Sequence, residues 1–306
     1  MSSMKILSVL IVGCLVLAGG LVLLTNSAEG ADDLNVCVTL PWQKEMLEWI
    51  GMGRITVTQF LGPGANPHGG DQGTVNDLVS ASKSMAYFYI GAEMEWEVTN
   101  IPLLRSSFPN MAFVNVSKGL TLLSPIEDEH QEETEEDEHG HGAIDGHVWT
   151  SPSNLLLIAA NVKDSLSELD PGNAVAYEAG YLSYIERVNA IKSLADERIG
   201  GREGTEFLVW HPAWRYLCHE YGLVELSFEG QIGLEVTPQM IQYIKGVTEE
   251  KGLDTIFVRP QDPLWEDGSK ATLISEGISI IPADPLAVEY LDELESFIMN
   301  LGDSWN

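Results

Sequence analysis

An α/β fold is predicted, with two βα lobes of mainly parallel sheet joined by one long rigid helix. Three features of the sequence point to it. Short β-rich runs alternate with helical spacing from Leu34 onward, the alternation gives way once to a long helical pattern over 173–199, and it resumes at Thr205.

The chain opens with an apolar run from Ile6 to Leu24, interrupted only by Ser8 and three glycines. Such a run is a secretory signal or an uncleaved membrane anchor, and both imply export. Ile11-Val-Gly-Cys14 resembles a lipobox, so lipidation at Cys14 stands open beside cleavage near 28–31. Residues 1–31 are therefore set apart from the folded body.

The N-terminal lobe is assigned to 32–170. A β-rich run at 34–40 leads into helical spacing at Trp42, Met46, Trp49 and Ile50, and 55–60 is a second strand. Gly62-Pro-Gly-Ala-Asn-Pro-His68 is a loop that neither helix nor strand tolerates. Thr74 is placed as the cap of a short helix through Leu78 and Val79, with further strands at 86–90 and 111–116. The tract 127–142 has nothing apolar to bury, and nine of the chain's 46 acidic residues fall within 127–138. It is expected to be a solvated, histidine-spiked acidic loop. At Ser151-Pro152 a hydroxyl cap and a first-turn proline start a helix with the stripe Leu155, Ile158, Ala159, Val162, Leu166 and Leu169, ending at Asp170-Pro-Gly.

The connecting spine is assigned to 171–201. Its expected stripe is Val175, Ala179, Leu182, Ile185, Val188 and Ile191, and at 1.5 Å per residue it would run roughly 40 Å. The C-terminal lobe, 202–306, repeats the alternation with strands at 205–210, 223–228, 255–259 and 278–281. Helices are expected over 212–221, from Thr237-Pro238 through Ile244, over 269–276 and over 288–301.

At 306 residues, with 44% hydrophobic and 8% aromatic residues, the chain can bury a full core. Its formal charge of −30 excludes nucleic acid, whose phosphates need a basic face, and favours cations. Outside the leading segment only Cys37 and Cys218 remain, one in each lobe. They form neither a disulfide framework nor a cysteine zinc site and read as small buried hydrophobes.

His68, His211 and Asp284 each follow a predicted strand, where open α/β sheets hold their ligands, and His147 stands at the foot of the acidic loop beside a helix start. Three imidazoles and a carboxylate suit a first-row divalent ion, zinc above all. His130, His139 and His141 are candidates for a weaker accessory zinc passed on to His147, whereas His219 reads as a surface residue. Trp42, Trp49 and Trp210 are assigned to the core, Trp149 and Trp214 to the wall of the cleft.

Gly-Pro-Gly-Ala-Asn-Pro-His68, Asp-Gly-His147-Val-Trp-Thr-Ser-Pro-Ser-Asn, the run from His211 to Leu223, and Ala-Asp284-Pro-Leu together resemble the zinc/manganese substrate-binding proteins of ABC uptake transporters. The resemblance covers nearly all of the chain after the leading segment, with its motifs in the family's order. It implies two lobes tied by a rigid helix, with a metal between them on His68, His147, His211 and Asp284. It also implies delivery of that metal to an ABC permease with its ATPase, by a monomer acting outside the membrane. Histidine at 211, where manganese members more often carry glutamate, leans toward zinc; manganese is the alternative. The sequence departs from the family at Asn66, Gly69-Gly70, Gly146, Pro212 and Trp214.

No catalysis is implied. A zinc hydrolase would hold the same three histidines with an open water position, but the sequence has no His-Glu-x-x-His helix and no serine elbow. A metal-buffering or adhesive surface protein would share the site and differ only in partners.

Overall fold

The first strand, β1 (Leu34–Val38), carries Val36, Cys37 and Val38 fully buried, as expected of a strand covered on both faces. The computed structural model describes residues 34–68, 75–124, 144–229, 236–266 and 268–305. The leading apolar segment and the whole acidic tract, 127–142, lie outside them. Among the described residues no helix is long and apolar enough to cross a membrane.

β1 is flanked by β2 (Ile55–Gln59) and β3 (Ala86–Tyr89), and β4 (Ala112–Asn115) lies beyond β3, all parallel in the order β2-β1-β3-β4. The second sheet is built from β5 (Glu206–Val209), β6 (Val224–Ser227), β7 (Thr255–Val258) and β8 (Ser279–Pro282). It repeats that order as β6-β5-β7-β8, again all parallel. The predicted two-lobe α/β architecture is met.

Three helices pack on one another beside the sheets. α1 (Pro41–Gly51) starts on a proline and is anchored by Gln43, whose carboxamide accepts from Thr39 N and Leu40 N and donates to the Phe88 carbonyl. α4 (Pro152–Leu169) is capped as predicted, with Ser151 Oγ accepting from Asn154 N at 3.2 Å. α5 (Ala174–Arg198) is the long helix, roughly 37 Å at 1.5 Å per residue, and it packs on α1, on α4 and on the last helix, α10 (Tyr290–Asp303).

The face of α5 differs from the predicted stripe. Its buried residues are Tyr177, Gly180, Tyr184, Val188, Ile191 and Ala195, while Val175 and Leu182 are 87% and 53% exposed. The two tyrosines supply the large rings on the packed face, and the absence of a side chain at Gly180 admits the C-terminal turn of α1. A Cβ on Gly180 would stand 2.4 Å from the Ile50 carbonyl oxygen. Close backbone approach at Gly180 thus accompanies the burial of Val188, Ile191 and Ala195 on the same face.

One core cluster runs through both lobes. In it Trp42 of α1 stacks on Trp149 at 5.2 Å, and Trp214 stacks on Phe297 of α10 at 3.7 Å. Cys37 and Cys218 are free and buried. The remaining helices are α2 (Val75–Ala81), α3 (Glu95–Ser107), α6 (Arg215–Tyr221), α7 (Pro238–Lys251), α8 (Pro263–Glu266) and α9 (Ser269–Ser275). Thr237 Oγ1 caps α7 by accepting from Met240 N. α3 was not expected: Pro102 lies inside it, and only Trp96, Glu97, Asn100 and Leu104 are buried.

Candidate metal centre

His68 lies in the loop that leaves β2. Asn66 Oδ1 accepts from the His68 backbone N–H at 3.0 Å, closing a local turn of the kind asparagine favours. The Pro67 carbonyl accepts from Trp96 N at 3.1 Å and so draws in the start of α3. That brings Glu95 to the imidazole, and Nδ1 donates to Glu95 Oε2 at 2.9 Å.

His147 precedes a single turn of 3-10 helix, Val148–Thr150, and is 5% exposed. Asp145 Oδ1 accepts from its backbone N–H at 2.8 Å and from Nδ1 at 2.9 Å. Gly146 between them packs beneath the Met94 side chain, whose Cε would lie 2.7 Å from a Cβ there and would have to shift to admit one.

His211 follows β5 by two positions and donates from Nδ1 to Glu229, which lies just beyond β6. The turn after His211 is fixed from behind by the buried Glu225 of β6, whose Oε1 accepts from Ala213 N at 3.0 Å and Trp214 N at 3.1 Å.

The three imidazoles converge. His68 Nε2 lies 3.2 Å and His211 Nε2 3.4 Å from His147 Nε2, and one ligand atom from each ring falls within 4.8 Å of the others. Each Nδ1 has a carboxylate acceptor, which places the proton of the neutral ring on Nδ1 and leaves a lone pair on Nε2. Three lone pairs then converge from three rings of the N- and C-terminal lobes, a donor set suited to a cation.

The electrostatics agree with that reading. Burial first, then Arg259, then His147 and His68 hold His211 well below the ordinary imidazole range, so this ring stays uncharged. Burial pushes Glu95 and Asp145 upward, but their histidine partners outweigh it and both lie below the usual carboxylate range. Ionised carboxylates therefore stand behind His68 and His147, giving the centre the negative surroundings that suit a dication.

Asp284 is placed differently from its three companions. Its Oδ1 accepts from Gln261 Nε2 at 3.2 Å and from Leu286 N at 2.9 Å, and among the described residues the group of mutually close ligand atoms comprises the histidines alone. His130, His139 and His141 lie outside the described residues, and His219 is exposed on α6. Trp149 and Trp214, expected in the cleft wall, are both buried. The Trp149 ring centroid is 5.4 Å from that of His147 with its indole N–H on the Pro285 carbonyl, and Trp214 belongs to the core against Phe297. Sequence reasoning missed Glu95, Asp145, Glu225 and Glu229. Asp145 carried a signal, standing two positions before His147, whereas Glu95, Glu225 and Glu229 are remote in sequence from the groups they hold.

Residues 36–300 match the family described as ZnuA, zinc-uptake complex component A periplasmic. The chain belongs to the ZnuA family. It is 30% identical over 285 residues to the high-affinity zinc uptake system protein ZnuA of Bacillus subtilis, covering 89% of this chain and 88% of that protein. It is 24% identical over 211 residues to the zinc-binding protein AdcA of Streptococcus pyogenes serotype M3, covering 66% of this chain and 41% of AdcA. The match to the zinc-binding lipoprotein AdcA of Streptococcus pneumoniae serotype 4 is 23% over 278 residues, 82% of this chain and 54% of AdcA. The chain thus spans about half the length of the AdcA relatives it matches. A crystal structure of ZnuA superposes with a TM-score of 0.72 at 23% identity, covering 89% of this chain and 99% of that one. At that identity the likeness speaks for the ZnuA fold alone.

Proposed function

We propose that this chain is the extracytoplasmic solute-binding component of an ABC transporter. It captures a divalent transition metal, zinc, and passes it to a membrane permease driven by its ATPase. The observation that carries the proposal is the meeting of three Nε2 atoms, each imidazole backed by a carboxylate on Nδ1. Nitrogen-rich donors of this kind favour zinc over manganese, which takes harder oxygen ligands. Family membership supports the same reading, since the ZnuA and AdcA relatives carry zinc uptake or zinc binding in their names.

His68, His147 and His211 are the proposed ligands. Asp284 is the proposed fourth, joining on exchange of Gln261 for the metal. His130, His139 and His141 of the acidic loop are proposed as accessory ligands. Export rests on the apolar leading segment, with residues 1–31 as signal or anchor. The lobes are assigned to 32–170 and 202–306 with the spine at 171–201, and the working unit is a monomer. Binding and release, without bond-making chemistry, are all this function requires.

Calorimetric titration of zinc and of manganese into a soluble form starting at Asp32, beside one lacking 127–142, tests it. One-to-one zinc binding that survives the deletion, tighter than manganese, is expected. Binding that disappears with the loop would mean that the three histidines are not the primary site.

A further inference from the structure

The hydroxyl of Tyr216 stands where the two lobes meet. The residue is in α6 of the C-terminal lobe and 3% exposed, yet both of its hydrogen bonds reach the N-terminal lobe. It accepts from Leu123 N at 3.1 Å and donates to the Asp145 carbonyl at 2.9 Å. Leu123 and Asp145 are also joined directly, by Asp145 N donating to the Leu123 carbonyl at 2.8 Å. One backbone bond and one tyrosine-bridged bond therefore close this junction.

Asp145 is also the carboxylate that holds both the backbone and Nδ1 of His147. On its own chain, Tyr216 lies just past the turn that carries His211 and that Glu225 pins through Ala213 and Trp214. A closed path runs from His211 along this turn to Tyr216, across to Asp145, on to His147, and back to His211 over the 3.4 Å gap between Nε2 atoms. On that path the phenol hydroxyl is the link between the C-terminal lobe and Asp145. Burial pushes the hydroxyl up to about 12, so it keeps its proton as a donor throughout the neutral range.

We infer that Tyr216 is a positioning residue for metal capture: its hydroxyl sets the reach between His147 and His211 and thereby the affinity and geometry of the site. The inference rests on the reading of the three histidines as a metal centre. Removal of the hydroxyl keeps the ring in its packing but leaves the Asp145 carbonyl without this donor and Asp145 free to carry His147 away from His211.

The test is Tyr216→Phe, with Tyr177→Phe as control. Tyr177 is an equally buried tyrosine of α5 whose hydroxyl donates to Asp170 Oδ2 at 2.7 Å, far from the histidines in the chain. Zinc dissociation constants are measured by competition with a chromophoric chelator, and cobalt(II) is added as a spectroscopic stand-in for zinc, since its visible absorption is intense in a tetrahedral shell and weak in an octahedral one. Tyr216→Phe is expected to weaken zinc binding about tenfold or more, in the range typical of outer partners of metal ligands, and to alter the cobalt spectrum. Tyr177→Phe is expected to lower the melting temperature and leave both metal readouts unchanged. Identical constants and spectra for Tyr216→Phe and the wild type overturn the inference, as does a weakening that Tyr177→Phe shares. Failure of the wild-type chain to bind zinc or cobalt sinks the metal-centre reading itself, and this inference with it.

Discussion

The Nε2 atoms of His68 and His147 stand 3.2 Å apart while their Nδ1 atoms donate to Glu95 and Asp145. Each ring is held from behind by its carboxylate, so the ligand and its carboxylate act as one unit. Replacing His147 by alanine is expected to abolish tight zinc binding. Asp145→Asn, which keeps the ring but loses the charge behind it, is expected to cost ten- to hundredfold in affinity. Competition titration ranks the two, and an Asp145→Asn protein with wild-type affinity would show that the carboxylate is a bystander.

Asp284 is held by Gln261 and by the Leu286 N–H, so its entry into a metal shell must replace bonds already made. Asp284→Asn is accordingly expected to weaken zinc binding less than loss of any one of the three histidines. A loss as large as that of His147→Ala would assign the carboxylate an equal share in the site.

Glu225 offers a test of stability against pH. Burial raises its carboxyl to about 8, ahead of the lowering from the Trp214 and Ala213 N–H groups. Because the folded value lies above the unfolded one, the folded state binds the extra proton. Its stabilising effect is fully present at acid pH and is lost as pH rises toward 8. Glu45 and Glu97 shift the same way only to about 7 and about 6, so the interval from pH 7 to 8 belongs mainly to Glu225. There the unfolding free energy should fall with a slope approaching about 1.4 kcal/mol per pH unit for one proton. Urea melts of Glu225→Gln should show this interval flattened; an unchanged slope would remove Glu225 from the account.

Gly180 meets the Ile50 backbone with no room for a methyl group. Gly180→Ala should destabilise the protein by about 1–3 kcal/mol, the usual range for overpacking, and shift the urea midpoint without altering zinc stoichiometry. A midpoint at or above that of the wild type would mean that α5 slides freely over α1.

Much of this architecture was legible in the sequence. The strands carry near-continuous apolar runs, and Ser151-Pro152 and Thr237-Pro238 announce the starts of α4 and α7. His68, His147 and His211 stood out by their place after strands or before a helix. Two kinds of information were hidden. The packed face of α5 is set by a glycine and two tyrosines, which apolar periodicity ranks below Val175 and Leu182. The partners of the histidines, Glu95 and Glu229, are acidic residues in a chain rich in them, and only the approach of separate strand ends shows which ones matter. α3 was masked by Pro102 and by a weak apolar pattern that leaves Glu97 buried and satisfied by Ile90 and Gly91 N–H groups.

The ties around the His147 turn have a mechanical corollary. Tyr216 holds Asp145, Tyr290 donates to the Trp149 carbonyl, Trp149 donates to Pro285, and Glu220 of α6 accepts from the hydroxyls of Ser151 and Ser153 at the head of α4. With α5 packed against α1 as well, X-ray scattering curves with and without zinc are expected to superimpose. Under the proposed carrier function, release would then proceed by loss of individual imidazole contacts, without wide separation of the lobes.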